Sequence, residues 1–163
     1  MQIRAMTMED WDSVRAIYLE GIATGMATFE TEAPSWTNWN QTHLFAPRLV
    51  AVSNDAFAGW AALSPVSGRP VYAGVAEVSV YIAERLRGTG IGKLLLKNLV
   101  TESEADGIWT LQASMFPENA ASVSLHKSCG FREVGRRERI AKMNGVWRDT
   151  LLLERRSTRV GAA

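Results

Sequence analysis

Apolar and polar residues alternate strictly over Val78-Ser79-Val80-Tyr81-Ile82, the period of two that marks a half-buried β-strand. Leu49 to Ser53 and Ala56 to Leu63, joined by a tight turn, and Trp109 to Phe116 also read as strands. Trp11, Val14, Ile17, Tyr18 and Ile22 instead recur at steps of three and four, the stripe of an amphipathic helix. Thr7 precedes that helix as an N-cap, with Glu9 and Asp10 in its first turn. Ser35 caps a second, short helix carrying Trp36, Trp39 and Leu44, in which His43 reads as structural. Leu94 to Ala105 predicts a third helix, stopped by Gly107, and Glu118 to Lys127 a fourth, begun after Pro117. Asn54-Asp55 and Asn144-Gly145 are hairpin turns. A short first strand is expected over Gln2 to Met6, a long fourth strand over Val71 to Ile82, a sixth after Cys129-Gly130-Phe131, and a last one over Trp147 to Leu153.

The predicted order is β-α-α-β-β-β-α-β-α-β-β. That is an α/β (α+β) single domain over residues 1–155, one mixed and mostly antiparallel sheet flanked by helices, with a frayed tail over 156–163. The 163 residues, 47% of them hydrophobic, suffice for one independent core. Charges nearly cancel, 18 basic against 17 acidic, which argues against a nucleic-acid backbone as partner. Arg132, Arg136, Arg137 and Arg139 cluster but are interleaved with Glu133 and Glu138, the pattern of a solvated strand face. The single cysteine, Cys129, excludes an internal disulfide framework, and no apolar run approaches a membrane span. A cytoplasmic protein with no membrane partner and no metal site is expected.

Chemistry concentrates in Arg87-Gly88-Thr89-Gly90-Ile91-Gly92-Lys93, a glycine-rich loop between the Val78–Ile82 strand and a helix N-terminus. Glycines let the backbone approach a ligand and take positive φ. The free N–H groups and dipole of the helix favour an anion, and Arg87 and Lys93 add charge. A phosphate or pyrophosphate is the natural guest. A Walker loop fails because residue 87 is Arg and residue 94 is Leu; a dinucleotide fingerprint fails because its third glycine would fall on Lys93 or Leu95. What remains is Arg-x-x-Gly-x-Gly on Arg87, Gly90 and Gly92, or else a plain helix-capping turn.

Two further stretches carry polar groups. Asn119-x-x-Ser122-x-x-Leu125-His126-x-x-x-Gly130-Phe131 starts a helix with Ser122 and His126 on one face. Asn119 is a helix cap or a free amide for a ligand, and His126 a proton donor or a packed hydrogen-bonding residue. Glu77 opens the central strand, where a carboxylate is either an ion-pair partner or a base whose pKa burial raises.

The glycine loop resembles the coenzyme A pyrophosphate loop of the GNAT (Gcn5-related) N-acetyltransferases, and the Asn119–Phe131 string resembles that family's late pantetheine-contacting segment. The element order is also similar to the GNAT fold from end to end. Within the family, Glu77-x-Ser79-Val80-Tyr81, Ala27-Thr28-Phe29-Glu30-Thr31 and Gly145-x-Trp147-x-Asp149 resemble the phosphinothricin and methionine sulfoximine acetyltransferase branch. The resemblance implies an acetyl-CoA-dependent N-acetyltransferase acting on the primary amine of a small molecule, an amino acid or analogue, by direct attack in a ternary complex. It implies Glu77 as base and His126, where many members have Tyr, as acid. Val80, Tyr81, Ile82, Arg87, Gly88, Thr89, Gly90, Ile91, Gly92, Lys93, Asn119 and Ser122 would hold acetyl-CoA. Phe29, Glu30, Arg69, Tyr72 and Trp147 would face the substrate, with Trp147 alternatively in the core. A homodimer is implied too. One departure stands out: the branch pattern Arg-x-x-Tyr-Arg is met by Arg69 and Tyr72 but ends in Ala73, so one bidentate carboxylate clamp is missing. A non-catalytic acyl-CoA sensor, a protein or peptide acetyltransferase, and a covalent route through Cys129 remain as alternatives.

Overall fold

The computed structural model describes residues 1–162. Seven strands form one sheet in the order β1-β2-β3-β4-β5-β7-β6. They are β1 (Gln2–Ala5), β2 (Arg48–Ser53), β3 (Ala56–Pro65), β4 (Val75–Ile82), β5 (Thr110–Met115), β6 (Arg132–Met143) and β7 (Val146–Arg156). The helices are α1 (Trp11–Ala23), α2 (Trp36–Thr42), α3 (Ile91–Ala105) and α4 (Ala120–Ser128). Every neighbouring pair is antiparallel except β4 and β5, which α3 connects as a parallel crossover. The element order is the one the periodicities predict.

Alternation along β4 divides the molecule. Ala76 and Val78, with Val80 and Ile82 packed against them, face α3, whose Leu95, Leu96 and Leu99 are fully buried against Leu63, Leu111 and Leu153. Tyr81 faces the other way, into an aromatic cluster of Trp11, Trp39, Trp60, Tyr18 and Trp36 beneath α1 and α2. Truncating any one of the three α3 leucines would cost about 2–5 kcal/mol. The local signals act as expected: Ser35 accepts from the Asn38 N–H at 3.2 Å, and Asn54, Asp55, Asn144 and Gly145 all take positive φ in their hairpin turns.

Two expectations need correction. The fourth strand begins at Val75, not Val71, because Pro70 to Tyr72 form a 3-10 turn closed by Tyr72 N–H to Arg69 O and Ala73 N–H to Pro70 O. Pro70, lacking an N–H, starts such a turn more readily than it joins a ladder. The tail does not fray at 156 either. Arg156 donates to the carbonyls of Ser157, Val160 and Gly161, and buried Ser157 gives its hydroxyl to Glu104 on α3 at 2.6 Å. Ala163, the last residue of that expected tail, lies outside the described residues.

Candidate active site

β4 and β5 pair only at Val75–Thr110, Ala76–Leu111 and Glu77–Gln112. Beyond them the two strands part, and β4 from Val78 to Ile82 keeps β3 as its sole neighbour. The opening starts at residue 78. A row of β4 backbone groups therefore faces a gap in the middle of the sheet. Such groups need partners, and a ligand with amide groups of its own would satisfy them.

Glu77 stands at the base of the gap. It is half-buried, on the face that carries Tyr81, and the Gln112 amide donates to its Oε1 at 3.1 Å. No cation pairs with it among the described residues, so the ion-pair reading of this carboxylate falls away. Tyr81 stacks on Trp60 and lies 4.9 Å from the Tyr18 ring. Burial, and then the neighbouring Tyr18, push the Tyr81 phenol well up, so it stays protonated at neutral pH.

The glycine loop closes the far end. Gly88 and Gly90 take φ of 77° and 90°, and Gly90 is the left-handed N-cap of α3. A Cβ on either would point into open space, so these glycines answer to backbone conformation rather than crowding. The first helical bond runs from Leu94 N–H to Gly90 O, which leaves the N–H groups of Ile91, Gly92 and Lys93 ahead of the ladder. Arg87, Gly88, Thr89 and Lys93 are exposed around them. A row of unpaired N–H groups flanked by two cations, at the mouth of a gap in the sheet, fits a coenzyme A pyrophosphate.

α4 forms the opposite wall. The Asn119 amide, a helix cap or a ligand contact by sequence, is engaged at both ends: its oxygen accepts from Ser122 N–H and its nitrogen donates to Met26 O, each at 3.2 Å. It caps α4 and ties it to the α1–α2 connection, whose Phe29 meets Phe116 edge-on at 4.8 Å. His126 is buried, and its Nδ1–H donates to the Ser122 carbonyl at 2.8 Å. Burial holds its pKa below the ordinary 6.5, so the ring is neutral with its one proton on Nδ1. Nε2 is buried without a partner. The other histidine is structural as expected, stacked on Trp39 with Nδ1 bonded to the Trp39 carbonyl at 2.7 Å.

The substrate-side residues do not converge. Arg69 lies over the Tyr72 ring, both exposed on the β3–β4 connection, and Glu30 is exposed as well. Trp147 is not in the core: 47% exposed, it lines a cleft of about 600 Å³ with Gly25, Glu118, Met143, Asn144 and Arg148. Trp36 and Trp39 belong to the aromatic cluster instead. Residues that the sequence does not single out also shape the site. Gln112 orients Glu77, Phe116 carries Phe29, and Arg148 stacks on Phe116 at 3.9 Å. The alternation of β5 and β7 was the available signal for all three.

Known proteins place this geometry. The pattern described as Acetyltransferase (GNAT) family matches residues 8–131. The protein YwnH of Bacillus subtilis is 36% identical over 95% of this chain and 98% of its own length. The phosphinothricin N-acetyltransferase of Alcaligenes faecalis is 31% identical over 94% of this chain and 81% of its own. The crystal structure of a GNAT superfamily phosphinothricin acetyltransferase from Sinorhizobium meliloti in complex with acetyl-CoA superposes with a TM-score of 0.89, at 29% identity over 99% of this chain and 91% of that one. A split sheet with a glycine-lined anion cradle, carried on a chain that matches this family over most of its length, makes the protein a member of the GNAT acetyltransferases, an N-acetyltransferase with acetyl-CoA as co-substrate.

Proposed function

We propose that the chain acetylates the primary amine of a small amino acid or amino-acid analogue, by direct attack of the amine with both substrates bound. The observation that carries this reading is the opening between β4 and β5, which starts just past the Glu77–Gln112 pair and leads to the glycine loop. The five residue steps of strand from Glu77 to Ile82 span about 17 Å, a distance a pantetheine arm covers. The named activity of the Alcaligenes relative, on an amino-acid analogue, supports the acceptor class.

Acetyl-CoA supplies an activated acyl thioester. The chain does the rest. The N–H groups of Ile91, Gly92 and Lys93, with the Arg87 and Lys93 side chains, hold the pyrophosphate, and Gly88, Thr89 and Gly90 shape the cradle. The unpaired edge at Val80, Tyr81 and Ile82 aligns the pantetheine amides, and a backbone N–H there meets the charge that builds on the carbonyl oxygen. Glu77, held by Gln112, accepts the ammonium proton directly or through water. Asn119 and Ser122 fix the α4 wall. The one N–H of His126 already serves Ser122, so His126 positions that wall; as the C–N bond forms and the C–S bond breaks, the CoA thiolate leaves and takes the second amine proton through water. Phe29 and Trp147 bound the acceptor side, with Glu30, Arg69 and Tyr72 on its outer rim.

Release of free CoA from acetyl-CoA, measured against amino acids, methionine sulfoximine, phosphinothricin and polyamines, tests the reading. Glu77→Gln should lower kcat by about 10²–10⁴-fold while acetyl-CoA affinity is kept. An unchanged rate would remove Glu77 from the mechanism, and binding with no turnover on any amine would leave the sensor reading in its place.

We further propose a homodimer in the cytoplasm. β6 is a 12-residue edge strand exposed along nearly its whole length, with Val134 and Ile140 in the open. An edge of that length is ordinarily covered, and a second copy would cover it. A monomer on a calibrated sizing column would refute this. No helix among the described residues is long and apolar enough to cross a membrane, and Cys129 is a free thiol, both compatible with that compartment.

A further inference from the structure

The base and the reacting carbon lie at different levels of the opening. Glu77 closes its base beside Gln112, while the unpaired edge assigned to the acyl arm runs from Val80 to Ile82. Three residue steps of extended strand separate Glu77 from Val80, about 10 Å. A hydrogen bond covers about 3 Å. The Glu77 carboxylate is also held at its own level, because its Oε1 accepts at 3.1 Å from the amide of Gln112, its partner across the strands. A proton leaving an amine near Val80 therefore needs a carrier to reach Glu77.

Two hydroxyls stand in the interval. Ser79 follows Glu77 by two on β4, and Ser114 follows Gln112 by two on β5, so alternation puts all four side chains on one face. Continued by two residues, the register would pair Ser79 with Ser114; the strands part first, and the two serines sit on opposite lips of the opening. Ser79 is half-buried and Ser114 exposed, and among the described residues neither hydroxyl is held by another group of the chain. Each lies about 7 Å along its strand from the Glu77–Gln112 pair, near the span that one bridging water covers. A water there meets four partners, the two hydroxyls, Glu77 Oε2 and the amine, which is within the number an ordered water takes. The other titratable side chains toward this face are committed elsewhere. Glu154 binds Arg132 at 2.7 Å, and burial keeps the Tyr18 and Tyr81 phenols protonated at neutral pH. Glu30 stands exposed on the α1–α2 connection.

We propose that Ser79 and Ser114 hold a water that carries the ammonium proton of the acceptor to Glu77, which makes both serines catalytic residues of the transfer. The water takes a proton from the ammonium nitrogen and gives one of its own to Glu77 Oε2. The products of the step are an amine with a free lone pair, a neutral carboxyl group and the same water, and Glu77 returns its proton to solvent after turnover. This rests on the amine acetylation proposed above and decides its choice between direct and water-borne transfer in favour of the second. It holds for any acceptor that binds as an ammonium ion.

Ser79→Ala, Ser114→Ala and the double variant test it on an amine that the wild type acetylates. At neutral pH each single change should lower kcat about tenfold, and the double change up to about a hundredfold. KM for the amine and the calorimetric affinity for acetyl-CoA should be kept, the latter also showing that each variant is folded. The loss in kcat/KM should shrink as pH rises toward the pKa of the acceptor amine, where free amine needs no carrier. Ser114→Thr keeps a hydroxyl and should retain most of the rate; Ser114→Val, of the same shape without it, should not. In a Glu77→Gln background the double change should cost little more, since base and carrier form one path. An unchanged rate, a loss equal at every pH, or a full further loss in the Glu77→Gln background would overturn the relay. A rise in KM for the amine with kcat kept would also overturn it, and would make the hydroxyls contacts of the acceptor. Wild type with no turnover on any amine would overturn the function proposed above and the relay with it, whereas turnover that the variants leave unimpaired removes the relay alone.

Discussion

Replacing Gly90 by alanine separates backbone conformation from crowding in the coenzyme cradle. Gly90 has φ 90° and ψ 0°, and an added Cβ would meet no atom within 4 Å. The penalty is therefore conformational, about 1–2 kcal/mol for an L-residue in the left-handed region. It can fall in two places. If α3 holds the loop in shape, through the Leu94 N–H to Gly90 O bond of 3.2 Å, the folded state loses that amount of stability. If the loop relaxes instead, the peptide planes beside Ile91 turn, the N–H row no longer converges, and affinity for CoA falls about five- to thirtyfold. Urea unfolding followed by tryptophan fluorescence reads the first, and calorimetric titration with CoA reads the second. The two losses together should come to about 1–2 kcal/mol.

Gly92→Ala is the control. Gly92 has no positive φ, and a Cβ there would lie 3.2 Å from Leu125 Cδ2, the movable end of a side chain. Better helix propensity offsets that contact, so this variant should stay within about 1 kcal/mol of wild type in stability. If Gly90→Ala matches wild type in both stability and CoA affinity, or is indistinguishable from Gly92→Ala, the conformational argument for the loop is wrong.

Acid should destabilise the fold through its two sheltered histidines. His43 and His126 both have folded pKa values held below 6.5 by burial, so below pH 6.5 the unfolded chain binds protons that the folded one refuses. Their contribution is intact above pH 6.5 and is lost as pH falls from there toward the folded values. Melting temperatures between pH 8 and 5 should drop below 6.5, and a His43→Gln/His126→Gln variant should show a flatter profile; an equally steep one would refute the assignment. Ser157→Ala should lower stability by about 1–3 kcal/mol, since it strips a buried acceptor for the Arg159 and Val160 N–H groups and a donor to Glu104; an unchanged urea midpoint would mean that the tail carries no weight.

Features whose cause is local were legible in the sequence. Ser35 caps α2, Asn54-Asp55 and Asn144-Gly145 turn hairpins, and the glycine loop opens α3, because each depends on residues a few positions apart. What stayed hidden depends on contacts across the chain. Asn119 is readable as a helix cap, but nothing local shows that Met26, 93 residues away, takes its amide N–H. Ser157 looks like a loose end until Glu104 accepts its hydroxyl. Val71 has the apolar character of a strand residue, and only the turn bonds around Pro70 remove it from β4. Trp36 and Trp39 join the core cluster while Tyr72 and Trp147 are exposed, since composition says nothing about which face a ring meets.

Arg148 was missed for a different reason. It falls on an unspecified position between Trp147 and Asp149, so the branch signature gives it no role. Its surroundings are an aromatic ring, two sulfurs and a carboxylate at 3.6 Å, drawn from three other parts of the chain. The site therefore divides into two parts with different physical origins. The coenzyme half is written in backbone, by strands that part after residue 77 and glycines that turn N–H groups outward, and such features survive wide change in side chains. In the proposed function the acceptor side rests instead on a few side chains, so that a substitution such as Ala73 alters the acceptor while the backbone that presents the acetyl group stays as it is.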